Sequence, residues 1–392
     1  MLAPIVIAAF QFLALALVFP QLPFQAMALG ADPAVVALLL AADTVTAVFL
    51  APLFGRLSDH VGRKTIILVG LAVAPVAYAV LANAASLEML FVSRLMSGAG
   101  LATVSVAQAY IADRSVANSR LAGLAGMNGA YGLAFVVGPL VASMLFLGDS
   151  GAYSLTAYCA LACTVLSFAV AALVLAPNAP APKAAVGSAD EAYGRKTRER
   201  PSRDHGISVL LVVSGIIIFA YAAMTATVGV WSKAALGWGP RELSLAFAVT
   251  GGTSVLAQVI VASRLRAYVE DVTVVWLAGL GMGVGLVALA TLPDQVGTVA
   301  IMALIGFSTA VAITCVQYLI LSHAPVRTIG KVAGFGQSVV GIARIFGPAA
   351  GGLCLTYLGI SSPFFLGAGL AGAAVIALLR FRQTIRMRYS TP

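Results

Sequence analysis

The sequence predicts an all-α integral membrane protein of twelve transmembrane helices, arranged as two six-helix bundles related by a pseudo-two-fold repeat. Three observations predict it. Of 392 residues, 61% are hydrophobic and only 9% charged, against about 25% charged in soluble domains. Apolar runs of about 20 residues, enough to cross a bilayer core as a helix, recur along the whole chain. Residues of the first half return in the second at a nearly constant offset. The runs are continuous rather than alternating, which excludes a transmembrane β-barrel.

Glycine, proline and charge set the boundaries of the spans. The first, 4–28, has no Lys or Arg before Arg56, so it reads as a spanning helix rather than a cleaved signal. The second, 33–55, opens on a proline and stops at the charged stretch GRLSDHVGRK. The third, 65–83, and the fourth, 87–111, are parted by a short polar turn. The fifth, 121–147, follows Arg120, and the sixth, 152–176, runs into about 30 polar residues, PNAPAPKAAVGSADEAYGRKTRERPSRDHG. That segment reads as a solvated linker. The second half then gives 207–231, 241–262, 272–291, 297–322, 332–357 and 361–380. The expected units are an N-terminal bundle (1–176), a linker (177–206), a C-terminal bundle (207–380) and a tail (381–392).

Basic residues orient the chain, because short cytoplasmic loops retain Lys and Arg. With the N-terminus inside, 19 of the 23 Lys and Arg fall on the cytoplasmic side. Lys233 and Arg241 fall outside, while Arg94 and Arg344 lie within spans. The expectation is a multi-pass protein of the cell (inner) membrane with both termini cytoplasmic. The net charge of +9 is then an orientation signal and gives no reason to invoke nucleic acid.

The halves repeat at offsets of 208 or 209 residues. These superpose Arg56-Leu57 on Arg264-Leu265, Gly98 on Gly306, Gln108 on Gln317 and Tyr110 on Tyr318. They also bring Gly126 onto Gly334, Gly132 onto Gly341 and Gly138-Pro139 onto Gly347-Pro348. Duplicated bundles are a secondary-transporter plan.

GRLSDHVGRK (55–64) resembles the loop motif G-x-L-[SA]-D-x-x-G-R-[RK] of the major facilitator superfamily, with Gly55, Leu57, Ser58, Asp59, Gly62, Arg63 and Lys64 matching. RLMSGAG (94–100) and AYIAD (109–113) are similar to the fourth span of its tetracycline/proton antiporters, and VFPQLPF (18–24) to the end of their first. GPLVAS (138–143) resembles the fifth-span motif G-P-x-x-G-G, with Ala142 and Ser143 departing from it. GPAAGG (347–352), in the eleventh span, has the intact form. The resemblance implies the major facilitator fold and a drug/proton antiporter, with Gly55, Asp59, Gly62, Arg63 and Asp113 forming a cytoplasmic lock. Gly55 and Gly62 would permit a sharp turn. Asp59 would accept hydrogen bonds from a facing helix N-terminus, and Arg63 would reach Asp113. The second-half loop has Ala267 in place of the acid and would latch weakly. Gly138, Pro139, Gly347 and Pro348 are expected to be close-packing bends between the bundles.

Three charges lie well within spans: Asp43, Arg94 and Arg344. Each costs about 2.5–3.5 kcal/mol at a helix centre and calls for a partner or a cavity. Asp43, the one intramembrane acid, is the candidate proton carrier, and Arg94, which matches the fourth-span motif, serves proton coupling or structure as the resemblance implies. Arg344 either pairs with Asp43 or faces the cavity as a docking point for an anion. Spans one, four, seven and ten line the cavity in the family, which makes Gln11, Gln108, Tyr221, Thr225 and Gln317 candidate substrate contacts. Gln337 and Arg344 share one face of span eleven and join them. Each has an alternative role tying helices together.

The expected function is proton-coupled export of a small amphipathic compound, drug or metabolite, by alternating access. The alternative is a transporter of an anionic metabolite or siderophore-like carboxylate, since two membrane arginines stand against one acid. Nothing suggests an enzyme, a cofactor, a metal site or a catalytic residue. The four cysteines read as apolar filler. The expected partners are a small-molecule substrate, protons and the bilayer, with the protein working as a monomer.

Overall fold

The computed structural model describes residues 2–114, 117–146, 152–176, 204–263, 272–323 and 329–389. The linker prediction and the second-half loop, with Arg264, Leu265 and Ala267, lie outside the described residues. The elements are α1 (Leu2–Val18), α2 (Leu22–Ala28), α3 (Pro33–Val61), α4 (Arg63–Ala82), α5 (Leu87–Arg114), α6 (Ala117–Leu145) and α7 (Ala152–Val174), then α8 (Asp204–Leu236), α9 (Pro240–Ser263), α10 (Val272–Thr291), α11 (Gln295–His323), α12 (Ile329–Leu358) and α13 (Ser362–Tyr389). Eleven of these helices are long and apolar enough to cross a membrane, and α1 with α2 makes a twelfth span bent by 43°. The bend falls at Phe19-Pro20-Gln21, where a proline cannot continue the hydrogen-bond ladder.

Several boundaries differ from the sequence reading, most of all at α3 and the last helix. Pro33 occupies the first turn of α3, where a missing N–H costs nothing. The helix then runs past Gly55 to Val61, so most of the charged decapeptide is helical rather than loop. Only Gly62 breaks the chain, at φ 103°, a conformation that favours glycine. Gly55 is an ordinary helical residue with nothing within 4 Å of where a Cβ would stand, so it serves no turn. The last helix continues to Tyr389, through most of the expected tail.

Within each bundle, glycines seat neighbouring helices. A Cβ on Gly98 would lie 2.3 Å from the Asp43 carbonyl oxygen, and one on Gly306 would lie 2.9 Å from that of Thr250. Gly98 and Gly306 are repeat-mates, so α5 rests on α3 as α11 rests on α9. The glycines of the two Gly-Pro pairs also pack inside their own bundles, which corrects the expectation that they bend between bundles. Gly138 presses on Ala16 and Leu17 of α1, and Gly347 on Phe219 and Ala222 of α8.

Other residues join the bundles. Gly132 of α6 receives Val255 of α9, and Gly341 of α12 receives Val48 of α3. This is one contact used twice across the pseudo-two-fold axis. Gly251 abuts the Phe135 backbone, Gly352 abuts Ala34 and Ala37, Gly229 abuts Pro23, and Phe19 meets Phe247 edge-on at 5.7 Å. These contacts run from the middle of the helices to the end that bears Pro33. Toward the end that bears Arg63, Gly55, Gly129 and Gly334 have nothing within 4 Å of where a Cβ would stand, as do the turn glycines Gly30, Gly237 and Gly359 at the Pro33 end.

Candidate transport site

Three groups of polar residues stand out, at three depths. The first is an ion pair sealed inside the N-terminal bundle. Arg94 of α5 donates through Nη2 to Asp43 Oδ2 of α3, with side-chain exposures of 0% and 5%. The other carboxylate oxygen accepts from the Thr44 N–H at 2.6 Å and the Thr44 hydroxyl at 3.3 Å. Arg94 Nε and Nη1 have no hydrogen-bond partner among the described residues. The Tyr78 hydroxyl of α4 lies close enough to act electrostatically on both charges. Asp43 therefore belongs to Arg94, which removes the pairing with Arg344 as an alternative. In the repeat, Thr250 stands near the position of Asp43 and Met302 at that of Arg94, both buried, so the C-terminal bundle has no counterpart.

The second group lies at the Arg63 end. Arg63, the first residue of α4, donates through Nε to Asp113 Oδ2 at 2.9 Å and pairs through Nη1 with Asp59 Oδ1 at 2.6 Å. Nη1 also reaches the Ser58 hydroxyl at 2.6 Å. One guanidinium thus joins the ends of α3, α4 and α5. Among the described residues the partner of Asp59 is this side chain. Lys64 donates to the Ala172 and Leu175 carbonyls at 2.8 and 2.7 Å, where the C-terminal end of α7 favours a cation.

The third group occupies the centre. Tyr131 is the middle residue of α6, Tyr221 lies one residue from the middle of α8, and Arg344 is at the middle of α12. Arg344 and Tyr131 both lie near enough to act electrostatically on the Tyr221 hydroxyl. Arg344 is exposed, and no acid pairs with it among the described residues. Around Tyr131 runs a line of rings: Phe12 at 5.0 Å and Phe135 at 4.7 Å, then Phe135 to Phe19 at 6.5 Å.

The other candidates divide by burial. Gln11 is 2% exposed, donates to Ser167 at 3.5 Å and lies against Gly100; it ties α1 to α5 and α7 and offers no open face. Thr225 is half-buried, with its hydroxyl on the Ala222 carbonyl. Gln108, Gln317 and Gln337 are exposed, with Gln337 two turns from Arg344 on α12. Sequence reasoning missed Tyr78 and Tyr131. A signal for Tyr78 existed, because α4 and α5 form a hairpin joined through residues 83–86, which returns the chain past Tyr78 within about one helical turn of the level of Arg94.

The chain is 24% identical over 322 residues to the class D tetracycline resistance protein of Salmonella ordonez, covering 79% of this chain and 77% of that one. It is 23% identical over 391 residues to multidrug resistance protein 1 of Bacillus subtilis (strain 168), covering 97% and 95%. The crystal structure of the human organic anion transporter MFSD10 superposes with a TM-score of 0.69 at 20% identity, over 96% of this chain and 98% of that one, a likeness of fold. The profile of the Major Facilitator Superfamily matches residues 5–348 and 210–391. With the repeat, the twelve spans and the decapeptide motif in agreement, the chain belongs to the major facilitator superfamily and is a multi-pass membrane transporter.

Proposed function

We propose that the protein exports a small amphipathic organic compound, a drug or a metabolite, in exchange for entering protons, with Asp43 as the proton carrier. The observation that carries this reading is the sealed Asp43–Arg94 pair, built from the one acid well within the described spans. Protonating Asp43 removes one partner of a buried ion pair, a change that costs about 3–5 kcal/mol and leaves Arg94 uncompensated. The helices that hold the pair, α3 and α5, touch at Gly98, so the cost is relieved by moving one against the other. That links proton binding to the rearrangement of the bundle.

The depth of the pair suits import of protons. Asp43 lies ten residues from the Pro33 end of α3 and eighteen from the Val61 end, about 15 Å and 27 Å along the helix. With the orientation favoured by the basic residues, Pro33 faces the cell exterior. The acid then lies nearer the side from which protons enter. Bundle contacts that run from the middle of the helices to the Pro33 side suit an inward-open conformation, in which substrate enters from the cytoplasm.

The two named relatives are resistance proteins, which supports export as the direction. The test is efflux from intact cells loaded with tetracycline, an acridine dye or a fluorescent aromatic acid, with and without a protonophore. Gradient-dependent efflux of at least one compound is expected. Efflux that tracks ATP and ignores the protonophore contradicts the reading.

A further inference from the structure

We propose that the middle of the bundle interface is a docking site for a small aromatic monoanion, with Arg344 as its charge partner, Tyr131 and Tyr221 as hydroxyl partners, and the Phe12–Phe135 rings as its wall. This rests on the transport reading and names the substrate class for it.

Position comes first. Tyr131, Tyr221 and Arg344 sit at the centres of α6, α8 and α12, one helix from the N-terminal bundle and two from the C-terminal bundle. Transporters of this plan bind substrate near the midplane where the repeats meet. Arg344 follows Gly341 by one helical turn, and Gly341 meets Val48 of the opposite bundle, so this face of α12 looks across the interface. Tyr131, Tyr221 and Arg344 thus share the mid-level of three helices, and α12 meets the opposite bundle one turn from Arg344.

Charge sets the class. Arg344 is about 21 Å from either end of its helix, too deep for its side chain to reach the bilayer surface. Asp43, the one acid well within the described spans, is held by Arg94. A fixed, exposed cation in an apolar surround selects an anion, and a guanidinium binds a carboxylate through two parallel N–H donors. One arginine argues for one negative charge. The rings argue for aromatic character: Phe12 meets Tyr131 edge-on, Tyr131 lies tilted on Phe135, and Phe19 carries the line to Phe247 of α9. Such faces add offset or edge contacts to a substrate ring.

The probes are radiolabelled 1-naphthoate and its uncharged isostere 1-naphthamide, measured by equilibrium dialysis against the purified protein in lipid nanodiscs, with no pH gradient. The parent is expected to bind naphthoate about tenfold or more tightly than naphthamide. Arg344→Gln should abolish that preference while leaving naphthamide affinity within about twofold, and Arg344→Lys should keep part of it. Tyr221→Phe should weaken naphthoate severalfold. The proposal is overturned by a parent with no anion preference, by Arg344→Gln variants that keep the preference, or by equal weakening of both probes. Should Arg344→Gln not fold, Arg344→Lys and Tyr221→Phe decide the matter by the same criteria. Lost anion preference in a protein that still exports cations on a proton gradient sinks this inference alone. Anion binding without any gradient-driven efflux sinks the transport reading alone.

Discussion

Arg94 and Asp43 face each other inside the N-terminal bundle with almost no solvent contact, 0% and 5% of their side chains exposed. The pair is asymmetric in a molecule whose helices are otherwise duplicated, because Thr250 and Met302 fill the corresponding space in the second half. The energetics of such a pair are lopsided. Forming it gains little over an apolar packing, while deleting one member is expensive.

Single and double substitutions should therefore behave differently. Asp43→Asn and Arg94→Gln are each expected to lower stability, by about 3–5 kcal/mol at most, seen as a depressed thermal transition in detergent. The double variant should be more stable than either single one yet remain inactive in gradient-driven transport. Additive losses would show that the two side chains do not act as a pair.

The Arg63 cluster should behave in the opposite way. Its side chains are 23% to 56% exposed, and ion pairs in such settings are worth about 0–1 kcal/mol. Asp59→Asn, Asp113→Asn and Arg63→Ala should leave the thermal transition nearly unchanged but slow transport, with Arg63→Ala the most severe because it removes both contacts. Transport at the parental rate in all three would reduce the cluster to a topogenic role.

The Gly132–Val255 and Gly341–Val48 contacts predict cross-links. In a background freed of its native cysteines, Gly132→Cys with Val255→Cys, and Gly341→Cys with Val48→Cys, should join under mild oxidation. Gly55→Cys with Gly334→Cys, where the space is open, should not. The reverse pattern would mean that the bundles close at the Arg63 end.

Glycines that pack within a bundle should matter for stability more than for sealing. Gly138→Leu drives a side chain into Ala16 and Gly347→Leu into the Phe219 backbone, overpacking that costs about 1–3 kcal/mol or more. Reduced expression without a proton leak is the expected result. A leak in stably folded protein would return these residues to the bundle interface.

Much of this was legible in the residues. Twelve spans follow from hydropathy because every backbone group in lipid must bond within its own helix, and helix periodicity needs no tertiary knowledge. The motif residues Asp59 and Arg63 were readable through the resemblance of the decapeptide to the family's loop motif, and Asp113 as the acid at the same end of the fourth span. Pairing inside the bundle was not. Asp43 had two arginines to choose from, and the choice depends on α3 lying against α5 at Gly98, a contact between helices 51 residues apart at the ion pair. Gln11 was misplaced for a related reason: residues on a cavity-lining helix face several ways, and only the rotation of α1 against α5 and α7 assigns that side chain to the bundle interior. The central site emerged in part through Arg344 and Tyr221, while Tyr131 was hidden because an aromatic residue in an apolar span carries no sign of which wall it faces.

The central claim is that Asp43 carries the proton, and reconstitution in proteoliposomes tests it most directly. Two assays on one preparation are needed: uphill accumulation of a transported compound driven by an imposed pH gradient, and exchange of that compound at equal concentration with no gradient. Asp43→Asn should lose uphill accumulation while retaining exchange, since a permanently neutral side chain can pass through the cycle with substrate but cannot couple it to protons. Uphill accumulation by Asp43→Asn at the parental level, with the pH gradient as the only energy source, would contradict the account.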